Sequence, residues 1–81
     1  MAEMIKKQKK LVITFHTTVE AMAMETVCKE NKMDGRLIPV PGFISAGCGL
    51  AWCAKPESER DLRELMDVHE IFPQQVQCCM V

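Results

Sequence analysis

The chain's 81 residues, 48% of them hydrophobic and 26% charged, suffice for one domain around one modest core. Its net charge of −1 argues against a general nucleic-acid binder. No apolar run approaches the ~20 residues that would span a membrane.

The reading is a single domain over residues 1–81, with a basic N-terminal arm at 1–10 and a core at 11–81. The arm carries Lys6, Lys7, Lys9 and Lys10. Leu11–Phe15 is too short for a signal-peptide apolar core, so the expected compartment is the cytoplasm, where thiols stay reduced. Five cysteines is an odd number, so they cannot all pair within one chain.

Leu11–Phe15 is β-branched and aromatic and reads as the first strand. His16 ends it, and Thr17 or Thr18 supplies a hydroxyl to cap a helix from Val19 to about Asn31. Ala21, Ala23, Met24, Val27 and Cys28 share the apolar arc of that helix, while Met22 falls outside it. Asp34-Gly35 reads as a turn. Arg36–Pro41 reads as a second strand, confined by Pro39 and Pro41 to an edge of the sheet. Pro41-Gly42 opens another turn.

Ser45-Ala46-Gly47-Cys48-Gly49 follows. A cysteine between two glycines is either an accessible thiol or a small residue in a tight crossing. The third strand is expected from about Gly47 to Ala54. Cys48, Leu50 and Trp52 fall on one of its faces, Ala51 and Cys53 on the other. If Leu50 and Trp52 lie on an uncovered sheet face, that apolar patch calls for a homodimer or a small ligand.

Pro56 suits a helix start, and Ser58 with Asp61 resembles a capping arrangement. Leu62, Leu65, Met66 and His69 form a helical stripe, and Glu59 can pair with Arg63. Val76, Cys78 and Met80 alternate with Gln75, Gln77 and Cys79 as a last strand.

The order strand, helix, strand, strand, helix, strand predicts an α+β, ferredoxin-like βαββαβ two-layer sandwich, its antiparallel sheet in the order 4-1-3-2. Strands 1 and 3 are read as running parallel. That sets His16 beside Cys53 and roughly 15 Å from Cys48. It also puts Cys78 and Cys79 about 10 Å from Cys48, two strands away. Only a mobile tail would then let them serve Cys48 as accessory thiols; otherwise Val76, Cys78 and Met80 pack on the helices and Cys79 is an exposed bystander.

No cysteine or histidine spacing matches a zinc site, no C-x-x-C pair occurs, and the P-loop Lys-Ser/Thr is missing after Gly47 and Gly49. No metal and no cofactor are expected. Cys78-Cys79-Met80-Val81 has the outline of a prenylation box but lacks an upstream polybasic stretch.

Thr14–Thr18, Ala21–Glu25, Gly35–Pro41 and Ile44–Trp52 together resemble a small bacterial domain of unknown function labelled selenium/sulfur (Se/S) carrier-like. The Arg-Leu-Ile-Pro-Val-Pro and Ser-Ala-Gly-Cys-Gly-Leu-Ala segments carry the resemblance most specifically. It implies that Cys48 is a carrier thiol, holding sulfur or selenium as a persulfide or selenosulfide, with Ser45, Gly47 and Gly49 supporting it. A cysteine desulfurase and a sulfur or selenium acceptor protein are the implied partners, and a carrier or binding protein is implied rather than a stand-alone enzyme. The rivals are a non-catalytic module with a structural Cys48 and a thiol redox sensor using the spare cysteines.

Overall fold

The computed structural model describes residues 9–42, 44 and 49–80. Strand β1 spans Lys9–Thr14. It starts two residues before the apolar run because Lys9 and Lys10 pair with Met80 and Cys79 of the last strand. The basic arm therefore gives its last two lysines to the sheet; Lys6 and Lys7 lie outside the described residues.

Helix α1 spans Thr18–Glu30. Thr17 is its cap: its backbone is extended (φ −137°), and its hydroxyl accepts the Glu20 N–H at 3.2 Å. Ala21, Met24, Val27 and Cys28 are buried, and Met22 is exposed. The helix closes through Lys32 at φ 55°, with the Met33 N–H donating to the Cys28 carbonyl at 2.8 Å. This six-to-one closure satisfies a carbonyl of the last turn.

Strand β2 spans Arg36–Pro39 and β3 spans Leu50–Ala54. A turn between them is tied by the Ile44 N–H donating to the Pro41 carbonyl at 2.9 Å. β3 begins later than the expected Gly47, since Gly49 has φ +80°, outside the strand region. A single 3-10 turn, Pro56–Ser58, leads into α2, Glu59–Val68. Ser58 does not cap α2 with its side chain. As the last residue of that turn it holds helical angles (φ −83°, ψ −3°), whereas a capping serine needs an extended backbone. Arg63 Nε meets Glu59 Oε2 at 2.8 Å. Leu62 and Met66 are buried, Leu65 is half-buried and His69 is exposed. α2 closes as α1 does, through Glu70 at φ 56° and an Ile71 N–H to Met66 carbonyl bond of 2.8 Å. β4 spans Gln75–Met80.

The sheet order is β2-β3-β1-β4, the expected 4-1-3-2 read from its other edge. β2 is an edge strand, as Pro39 requires. All three pairings are antiparallel. The expected parallel pairing of the first and third strands is thereby corrected: Leu11 pairs with Ala54 and Thr14 with Ala51.

Leu11, Ile13, Trp52 and Ala54 share one sheet face and form the main core with Met24 and Cys28 of α1 and Leu62 and Met66 of α2. Both helices thus cover the same face. Trp52 is 2% exposed and belongs to this core. The expectation of an uncovered apolar patch at Leu50 and Trp52 is corrected accordingly: alternation assigned the two residues to one face, and the helices cover it. The opposite face carries Val12 and Ala51, both buried, with Ile44 folded against them and Ile38, Val40 and Cys79 at the margin.

Candidate thiol site

Ser45, Gly47 and Cys48 lie outside the described residues. On one side Ile44 is buried against Val12 and Ala51. On the other, the Gly49 carbonyl accepts the Val40 N–H at 3.0 Å, extending the β2–β3 ladder by one bond. Gly49 itself is exposed, and a Cβ built on it would meet nothing within 4 Å.

Because β3 runs against β1, Gly49 lies at the end of the sheet where β1 finishes. His16 and the capped N-terminus of α1 lie at that same end. The parallel reading had set His16 beside Cys53; the observed register sets it at the Gly49 end, with its side chain exposed. A helix N-terminus there contributes partial positive charge.

The other thiols differ sharply in setting. Cys28 is fully buried in α1, and burial pushes its pKa up to about 11. Cys53 is half-buried on the face away from the helices, opposite Val12 on one side and Arg36 on the other. Cys78 is exposed. Cys79 stands opposite Lys10 and packs at the margin of the Val12–Ile44–Ala51 cluster. Burial raises its pKa, and the neighbouring Cys53 and Cys78 thiols raise it further.

β4 therefore does not divide as expected. Val76 packs on the main core, Cys78 and Met80 are exposed, and Cys79 is the more sheltered cysteine. Cys79 lies on the face of Val12 and Ala51, away from the helices, and pairs with Lys10. Cys79 is also at the opposite end of the sheet from Gly49, six β1 positions away by register, or about 20 Å at ~3.3 Å per residue.

Among the described residues, no group of three or more His, Cys, Asp or Glu side chains could hold a metal ion, and no helix is long and apolar enough to cross a membrane. The reading from sequence missed the surroundings of Cys53. Lys10, Arg36 and Lys55 line one cleft together with Cys53, although 45 positions separate the first from the last. The signal was available in the register, which sets Arg36 directly across from Cys53.

Fold and site together define a two-layer α+β domain with an antiparallel sheet and a thiol-bearing connection between β2 and β3. The family model described as "Putative Se/S carrier protein-like" matches residues 10–77, and the chain belongs to that family. The match includes Cys28, Cys48 and Cys53 and stops one residue before Cys78. No curated protein and no solved structure matches the chain.

Proposed function

We propose that the chain is a sulfur or selenium carrier of ferredoxin-like architecture that holds the transferable atom on Cys48. The observation that carries this reading is the family match over residues 10–77, which spans Cys48. The open space around Gly49 supports it, because a carrier thiol has to meet a donor and then an acceptor. The capped N-terminus of α1, a source of partial positive charge, lies at the Gly49 end of the sheet. Cys28 is a poor competitor: it is fully buried, and its pKa near 11 leaves almost no thiolate at neutral pH.

Loading is a thiol–persulfide exchange. The Cys48 thiolate attacks the outer sulfur of a donor persulfide, the donor's S–S bond breaks, and the donor cysteine leaves as a thiolate. Cys48 then holds the persulfide, and the reverse exchange delivers it to an acceptor. With selenium the held group is a selenosulfide. A cysteine desulfurase is the proposed donor, and the cytoplasm the proposed setting. The protein supplies a docking scaffold and a thiol, which is a carrier's work rather than that of a stand-alone enzyme.

The test is incubation with a cysteine desulfurase and free cysteine, followed by intact mass and peptide mapping. One sulfur should be added at Cys48. Cys48→Ser should abolish the adduct, whereas Cys28→Ser should leave it unchanged. An adduct indifferent to Cys48→Ser overturns the reading.

A further inference from the structure

At the end of the sheet away from Gly49 lies a cleft of about 250 Å³. Cys53 forms part of its wall, and Lys10, Arg36, Lys55 and Asp34 surround it. The register explains the gathering. Arg36 is the direct cross-strand neighbour of Cys53 on β2. Lys10 stands two residues before Val12, the neighbour of Cys53 on β1, so its side chain emerges on the same face. Lys55 follows β3 directly.

Three cations against one carboxylate give the cleft a net charge of +2, in a chain whose net charge is −1. Among the described residues, the salt bridges are Lys29–Glu25 and Arg63–Glu59, and neither involves a cation of the cleft. The one carboxylate is already engaged: Asp34 Oδ2 accepts the Lys55 backbone N–H at 2.9 Å.

The rim is also fixed in place. The Asp34 carbonyl accepts the Trp52 indole N–H at 3.2 Å, and Gly35 turns the chain at φ +124° in a space a side chain would fill. A concave, positively charged wall on a rigid turn suits a small anion better than a flat macromolecular surface.

We propose that this cleft is a binding site for a small doubly charged oxyanion of sulfate or phosphate size, held by Lys10, Arg36 and Lys55 against the Cys53 thiol. The proposal stands whether or not Cys48 carries sulfur.

The test compares two alkylating reagents on Cys48→Ser protein, one anionic (iodoacetate) and one neutral (iodoacetamide), with rates read at each cysteine by peptide mapping. A cationic site concentrates the anionic reagent, so the iodoacetate-to-iodoacetamide rate ratio at Cys53 should exceed that at the exposed Cys78 by about tenfold. Sulfate should suppress the excess more than sodium chloride of equal ionic strength, and Arg36→Gln with Lys55→Gln should remove it. Both replaced side chains are exposed, so the fold is retained. Equal ratios at the two thiols overturn the proposal. So does suppression by chloride as strong as by sulfate, an excess that survives the double substitution, or a Cys53 that neither reagent reaches.

Discussion

Gly35 and Gly49 both hold positive φ, +124° and +80°, and they lie at opposite ends of β3. A Cβ at Gly35 would collide with the Trp52 indole and come within 2.8 Å of the Cys53 carbonyl oxygen. A Cβ at Gly49 would meet nothing within 4 Å. The first glycine serves packing as well as conformation. It lets the turn before β2 lie flat on the core tryptophan. The second serves the backbone alone, with open space where its side chain would stand. Two glycines of the same conformational class thus mark a closed end of the sheet and an open one.

Substitution should separate the two ends. Gly35→Ala meets both the left-handed penalty and the collision, and should lower the free energy of unfolding by about 3 kcal/mol. A loss as small as that at Gly49 would erase the distinction, and urea denaturation measures it. Trp52→Phe keeps an aromatic ring in the core but removes the donor to the Asp34 carbonyl; a loss of about 2 kcal/mol is expected in the same assay. Gly49→Ala has only the backbone penalty to meet, about 1 kcal/mol. A loss at Gly49 equal to that at Gly35 would mean its surroundings are as tight. The smallest effect has the opposite sign. Glu70 is exposed and holds φ 56° at the end of α2, so Glu70→Gly should stabilise by up to about 1 kcal/mol, read as a higher melting temperature.

The elements were legible because their signals are local. The β-branched run at Leu11–Phe15, the threonine at the head of α1 and the prolines of β2 each act on their own neighbours. What failed was non-local. Alternation assigned Leu50 and Trp52 to one face, but a period of two carries no information about which face the helices cover. The expected antiparallel sheet in the order 4-1-3-2 already makes the neighbouring β1 and β3 antiparallel, so the parallel reading conflicted with the expected fold itself. That one direction moved His16 from the Cys53 end to the Gly49 end. Ser58 shows a local signal overridden by a neighbour: Pro56 began a tighter turn, and the serine was drawn into it. The family resemblance pointed to Cys48. The cationic surroundings of Cys53 come from β1, β2 and the residue after β3, and were invisible in any single stretch.

Trp52 is the chain's one tryptophan, and there is no tyrosine. Intrinsic ultraviolet fluorescence therefore arises from a single indole, sealed in the core and bonded through its N–H to the carbonyl of Asp34 on the cleft rim. Its emission colour reports whether the core is dry, and its intensity responds to the bond that pins the turn. An anion entering beside Asp34 should perturb that intensity without a red shift, whereas unfolding shifts the emission to the red. The molecule thus carries its own optical probe, at the closed end of the sheet.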